Sequence, residues 1–308
     1  MPSNTSLRIG IDASRIAVDT RTGTEHYTYE LIAALAALDR QNRYTLYCNQ
    51  RPAALPPLGP NFALRSMPFR RLWTHARLSA ELAPHPPDTL FVPAHVLPLG
   101  APLRRFRSVV TIHDMGYLHF PEAHTPLHRR YLQLSTWWSA RAASHVIAIS
   151  GATRDDLVRY AGVSPAKITV IHHGLSPRFR PVPNARAVVQ ARYGIAEPYF
   201  CYIGTVQPRK NLVRLIEAFA QLVAQSPAEP LALVIAGKRG WLTEAIEQRA
   251  AALGVAGRVR FTGYVPDDDV PVLLSGALAF AFPSLYEGFG MPVLEAMACG
   301  TPVLTSTT

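Results

Sequence analysis

The chain has 308 residues, 48% of them hydrophobic and 17% charged, enough apolar side chains for a sizeable core and too few charges for a disordered chain. At about 150 residues per domain the length suggests two domains, and no window reaches the roughly 18 uninterrupted apolar residues of a membrane-crossing helix. The net charge of +10 is unevenly spread: residues 1–183 carry 21 basic against 11 acidic groups, and residues 184–308 carry 10 of each.

All 11 histidines also fall in the first stretch. A cationic half attracts phosphates or an anionic surface. Its clusters are Arg70-Arg71, Arg104-Arg105-Arg107 and Arg129-Arg130. The first runs into residues 72–78, where apolar and cationic positions alternate at helical spacing, as in an interfacial helix or an ordinary solvated face. No zinc-finger spacing or basic aromatic strand pair supports nucleic acid. Cys48, Cys201 and Cys299 are too far apart for a disulfide framework or a zinc site and read as buried thiols. No apolar leader follows Met1, which points to the cytoplasm.

In chain order, residues 7–12 predict a strand. Residues 25–38 predict a helix with Tyr29, Ile32, Leu35 and Ala36 on one face. Strands follow at 44–48, 89–92 and 108–112, then a long helix at 126–143 and a strand at 144–149. Ser150 caps the next helix, and 168–171 is the last strand of this half. Residues 177–183, Pro-Arg-Phe-Arg-Pro-Val-Pro, are too proline-rich for a helix or central strand and open a linker. Beyond it, strands at 199–203, 231–236, 258–262, 277–282 and 302–304 alternate with helices at 211–224, 243–253, 267–275 and 291–298. Apolar runs without alternation suggest strands buried on both faces, and alternating strands and helices argue parallel sheets. The fold class is α/β, with two doubly wound domains facing across a cleft.

The richest segment is Phe282-Pro-Ser-Leu-Tyr-Glu-Gly-Phe-Gly-Met-Pro-Val-Leu-Glu-Ala-Met-Ala-Cys-Gly-Thr-Pro-Val303. A strand leads to a loop with Glu287, Gly288 and Gly290, and a helix starts near Pro292. Glycines ahead of a helix let main-chain N–H groups approach an anion. Glu287 and Glu295 suit hydroxyl groups rather than phosphate. A second segment, Ile203-Gly-Thr-Val-Gln-Pro-Arg-Lys-Asn-Leu212, presents Arg209 and Lys210 after a strand, a fork and a point charge suited to a diphosphate. A third, Val109-Val-Thr-Ile-His-Asp-Met-Gly-Tyr-Leu-His-Phe-Pro-Glu122, places His113 at a strand end; Asp114 can cap a turn, and His119 reads as structural.

These segments resemble glycosyltransferase family 4, retaining nucleotide-sugar transferases of GT-B architecture. The Glu-x7-Glu element followed by Ala-Met-Ala-x-Gly-x-Pro-Val carries the resemblance, with the Gly-x5-Lys-Asn element of Gly204 to Asn211. It implies that Glu287 and His113 orient the donor sugar, that main-chain groups around Gly288, Phe289, Gly290 and Met291 face sugar or phosphate, that Glu295 holds the ribose, and that Arg209 and Lys210 hold the diphosphate, with Gly204 beside them. Where many members carry arginine after that glycine, this chain has Thr205. The glycine-rich loop after the first strand is reduced to Gly23 followed by Thr24, the candidates there; His172 and His173 read as structural.

The resemblance implies a hexosyltransferase, mannose favoured as the sugar and GDP-mannose as donor, acting on a glycan or lipid-linked acceptor in polysaccharide or lipopolysaccharide assembly. A non-catalytic nucleotide-sugar-binding protein or a nucleotide-sugar 2-epimerase shares the architecture. The implied domains are 1–180 on the acceptor side, a linker 181–197, and a nucleotide-sugar-binding domain 198–308. Members usually continue with further helices, so the chain reads as cut at its C-terminus. No metal or other cofactor is expected. The partners are the donor, the acceptor and a peripheral contact with an anionic membrane at its inner face.

Overall fold

The structure, a computed structural model, describes residues 6–18, 23–69, 72–101, 106–121, 125–238, 240 and 243–307. Arg70, Arg71, Arg104, Arg105 and Glu122 of the sequence reading lie outside them. The chain divides into two compact units, Met1–His173 and Gly174–Thr308.

The first unit contains β1 (Arg8–Asp12), α1 (Gly23–Leu38), β2 (Arg43–Cys48), β3 (Phe62–Ser66), a π-helical turn at Thr74–Leu78 running into α2 (Ser79–Leu82), β4 (Thr89–Val92), β5 (Arg107–Ile112), α3 (Gly116–His119), α4 (Pro126–Ala142), β6 (His145–Ala148), α5 (Gly151–Ala161) and β7 (Ile168–Val170). Its strands form one parallel sheet ordered β3-β2-β1-β4-β5-β6-β7. Leu46, Leu90, Val110, Ile112 and Val146 are fully buried, as both-face burial demands. Ser150 caps α5, its Oγ accepting from the Thr153 N–H at 3.1 Å, and Gly162 ends it in the left-handed region at φ +63°. Thr125 and Pro126 start α4 in the same way.

The second unit contains α6 (Ala185–Tyr193), β8 (Tyr199–Ile203), α7 (Leu212–Gln225), β9 (Ala232–Ala236), α8 (Thr243–Ala252), β10 (Val259–Gly263), α9 (Val270–Gly276), β11 (Ala279–Phe282), α10 (Met291–Ala298) and β12 (Val303–Thr305). Its parallel sheet runs β10-β9-β8-β11-β12. Every residue of β9 is buried. Both sheets are doubly wound, as the alternating pattern predicts. Each therefore has a point where strand order reverses, between β1 and β4 and between β8 and β11, and ligands bind at the carboxyl ends there.

Three features depart from the sequence reading. The units meet between His173 and Gly174, ahead of the expected boundary at 180. The expected linker 181–197 contains α6, whose Val189 is fully buried in the second core with Phe179 of the proline-rich stretch; its prolines all precede the helix. Residues 72–78 present no continuous apolar face to solvent: Trp73 and Leu78 are buried in the first core, and Trp73 Nε1 donates to the Met67 carbonyl at 2.9 Å.

Candidate functional site

In the second unit, β8 and β11 are neighbours at the reversal point, so the loops that follow them lie side by side. The Leu285 N–H donates to the Arg209 carbonyl at 3.0 Å, and Arg209 Nη1 donates to the Tyr286 carbonyl at 2.5 Å. Between these loops stands a charge cluster. Lys210 Nζ is 2.5 Å from Glu287 Oε1, and Arg209 Nη1 is 3.1 Å from Glu287 Oε2. Lys210 is only 8% exposed, and its ammonium lies 5.0 Å from the centre of the Phe282 ring. A buried ammonium needs such partners, because it has given up its water. Two cations against one carboxylate leave the cluster with one surplus positive charge, suited to an anion.

Main chain packs tightly beneath it. Gly204 (φ +152°) donates its N–H to the Ala236 carbonyl, and a Cβ on Gly237 would stand 2.0 Å from the Gly204 oxygen. Only glycine permits that approach. Gly290, at φ +92°, turns the second loop into α10 with Pro292 in the first turn. Gly288 is buried, and Phe289 and Met291 are half-buried at this junction.

Glu295 lies further along α10, half-buried. Burial pushes its carboxyl up to about 7; Arg178 pulls the other way, and Asp267 adds to the rise. Arg178 pairs with Asp267 at 3.6 Å and lies over the Phe179 ring. Its buried Nε has no hydrogen-bond partner among the described residues. Glu295 and Arg178 thus hold unspent polar capacity on one side of the unit.

In the first unit, His113 follows β5 and is buried. Its Nε2 lies 2.8 Å from the Pro93 carbonyl. A carbonyl only accepts, so Nε2 carries the proton and Nδ1 is left as an acceptor. Burial, and then neighbouring His95, push this imidazole down to about 4, so it is neutral at pH 7. His95 accepts from the His113 main-chain N–H, and His95 and His173 both stack on the ring at 5.5 and 5.6 Å between centroids. Tyr27 meets it edge-on at 4.8 Å and shares a hydrogen bond with Thr111. Asp114 accepts from the Gly116 N–H, the turn role expected of it, and His119 pairs with Asp156.

The structure thus brings Arg209, Lys210 and Glu287 together, carries Gly204 and the run Gly288 to Met291 on the same two loops, and places Glu295 in the same unit beside Arg178 and Asp267. His113 belongs to the first unit. Gly23 opens α1, and a side chain there would meet nothing within 4 Å; Thr24 accepts from the Thr28 hydroxyl. Tyr27 and His95 escaped the sequence reading, and His173 was read as structural. Their signal was position: His95 and His173 each follow a strand of the same sheet, β4 and β7.

Asp267-Asp268-Asp269 also escaped it, although this run contains the Asp-x-Asp spacing that the expectation of no metal overlooks. Asp269 is held by Arg192 and Tyr193, and Asp267 by Arg178. Among the described residues no group of three or more metal-ligating side chains could hold an ion. All three cysteines are buried and free.

Two family descriptions match the chain: Glycosyltransferase Family 4 over residues 21–179 and Glycosyl transferases group 1 over residues 190–308. The O-antigen chain mannosyltransferase B of Escherichia coli is 35% identical over 207 residues, which is 67% of this chain and 54% of that protein. The D-inositol 3-phosphate glycosyltransferase of Streptomyces coelicolor is 32% identical over 185 residues, 54% of this chain and 40% of that protein. The chain thus spans about half the length of the curated relatives it matches. Sucrose-phosphate synthase from Thermosynechococcus elongatus shares the fold, with a TM-score of 0.76 at 23% identity over 98% of this chain and 82% of that one. The α/β fold is of the GT-B kind.

Proposed function

This chain belongs to glycosyltransferase family 4, and from that premise we propose that it transfers a hexose, with retention of configuration, from a nucleotide diphosphate sugar to a hydroxyl of a glycan or lipid-linked acceptor. The observation that carries the reading is the buried Lys210–Glu287–Arg209 cluster at the reversal point of the second sheet. Its surplus positive charge suits the diphosphate, whose negative charge grows as the sugar–phosphate bond breaks. Preorganised cations act most strongly where charge develops. Glu287 holds both cations, so it is oriented to accept sugar hydroxyls rather than to attack the anomeric carbon. Arg209 and Lys210 hold the phosphates and Glu295 the ribose.

Mannose is the favoured sugar and GDP-mannose the favoured donor, supported by the likeness to the O-antigen chain mannosyltransferase B. The test is product analysis: with GDP-α-mannose and methyl α-mannoside, the reading expects GDP and an α-linked disaccharide. A β-linked product contradicts retention, and donor consumption that ignores the acceptor contradicts transfer.

No helix among the described residues is long and apolar enough to cross a membrane. The reading includes peripheral contact with an anionic bilayer, supported by α4. Leu127, Tyr131, Leu134 and Trp137 recur on its outer side, Leu127 at 82% and Leu134 at 65% exposure. Arg129, Arg130 and Arg141 are exposed on the same helix, which contains no acidic residue. Apolar and aromatic side chains flanked by arginine suit an interface, at about 1 kcal/mol per basic residue near an anionic surface. Vesicles of phosphatidylcholine with phosphatidylglycerol should sediment the protein and phosphatidylcholine alone should not; Leu134→Ser with Trp137→Ser should weaken binding by at least roughly tenfold. Equal binding to both vesicles would contradict the contact.

A further inference from the structure

The irregular strap that opens the second unit, ahead of α6, is pinned along its length. Phe179 is buried in the second core, and its N–H donates to the Ser176 carbonyl at 3.1 Å. The Val182 N–H donates to Ser275 Oγ at 3.0 Å, and that hydroxyl donates to the Cys299 carbonyl at 3.4 Å. The strap is thereby tied to the ends of both α9 and α10. Prolines at 177, 181 and 183 restrict its backbone further. Arg178 is therefore held in place between Pro177 and the buried ring, its guanidinium 4.9 Å from the Phe179 ring centre.

This guanidinium is under-used. Its Nη1 is 3.6 Å from Asp267 Oδ2, longer than a hydrogen bond, and its buried Nε has no partner among the described residues. Glu295 of α10 lies in the field of both Arg178 and Asp267, and its carboxyl accepts no hydrogen bond among the described residues. Little else there can supply charge. α9, β11 and β12 pack against α10 and contain no titratable side chain, and Glu295 is the only one on α10. Cys299, one turn on, is pushed up by burial and stays a neutral thiol. Asp269, at the start of α9, is taken by Arg192 and Tyr193. Among the described residues Arg178 is thus the only cation acting on Glu295. Burial works against charge on this carboxyl, Arg178 works for it, and Asp267 competes for Arg178. A carboxylate that receives hydroxyl groups binds best fully charged, because a charged acceptor bonds roughly twice as strongly as a neutral one.

We propose that Arg178 is a positioning residue of the nucleotide site: it supplies the positive charge against which Glu295 receives the ribose hydroxyls, and Asp267 limits that supply. The ribose clause rests on the transferase reading; the coupling of the three side chains does not. The first measurement is NMR of isotope-labelled glutamate carboxyls in the free protein, with Glu295→Gln to identify the signal. Arg178→Met should move the Glu295 titration midpoint up and Asp267→Asn should move it down, each by at least about half a pH unit. Arg178→Lys keeps the charge and should stay near the parent. The second measurement is calorimetric binding of GDP-mannose and UDP-glucose, whose diphosphates have no group that titrates near neutrality. At about pH 6 the one that binds should bind roughly threefold more weakly to Arg178→Met and roughly threefold more tightly to Asp267→Asn. At about pH 9, where Glu295 is ionised in every form, the three should agree within twofold. Midpoints that ignore both variants, or move the same way in both, overturn the coupling whether or not a nucleotide sugar binds. A loss in Arg178→Met that is equal at both pH values overturns the positioning role, because misfolding or lost packing has no pH dependence of this sign. Opposite midpoint shifts in a protein that binds neither nucleotide sugar uphold the coupling and overturn the ribose role together with the transferase reading.

Discussion

Lys210→Ala lowers kcat by about 10²–10³, the usual loss when one preorganised group facing developing charge is removed. The ammonium is buried against Phe282 and held 2.5 Å from Glu287. Without it, Glu287 is left to Arg209 alone, and the cluster falls from one surplus positive charge to none. A diphosphate then meets a neutral site, and its departure loses the field that drives it. Lys210→Arg should not rescue: a planar fork needs more room than a compact ammonium wedged between a ring and a carboxylate. Steady-state kinetics with the donor varied checks this, with melting temperature as the control for folding. A kcat within twofold of the parent removes Lys210 from leaving-group stabilisation.

Glu295→Gln raises the melting temperature at about pH 8.5 and leaves it unchanged at about pH 4. The carboxyl titrates near 4.5 in the unfolded chain and at about 7 in the fold, because burial disfavours its charge. Below both values it is protonated in either state and imposes no penalty. As pH rises between them, the folded chain holds the extra proton, and stability falls until the carboxyl ionises in the fold as well. The full penalty above pH 7 is on the order of 2 kcal/mol once partial exposure is allowed for. Glutamine keeps the shape without the charge, so the gain appears only on the alkaline side. Scanning calorimetry at both pH values checks it; an equal shift at both means that the effect is packing rather than ionisation.

The elements bounded by sharp signals were legible in the sequence. Strands Thr89–Val92 and Tyr199–Ile203 and helix Met291–Ala298 lie where predicted to the residue, the helix because Pro292 and Gly300 bracket its apolar run. The strand Phe62–Ser66 was not legible. It lies at the sheet edge with no buried residue, so it lacks the apolar run that marks a central strand. Helix Ala185–Tyr193 was hidden by the prolines before it.

The site divides in the same way. Residue types in the loops after β8 and β11 announced their chemistry, because cations and carboxylates at strand ends are informative in themselves. Their pairing was not legible: Lys210 and Glu287 are 77 residues apart, and only the adjacency of β8 and β11 joins them. Nor was the histidine stack, since a lone histidine such as His95 carries no pattern until sheet order sets it beside His113.

If the Lys210–Glu287–Arg209 cluster holds a diphosphate, the chain must favour a nucleoside diphosphate over its nucleoside. The most direct measurement is calorimetric titration of GDP, UDP, ADP and dTDP, each beside its own nucleoside, in the parent and in Lys210→Ala. One diphosphate should bind the parent at least roughly 10²-fold more tightly than its nucleoside, as charge-assisted hydrogen bonds require, and the variant should lose most of that preference. Equal affinity for diphosphate and nucleoside in the parent, or an unchanged preference in the variant, would contradict it.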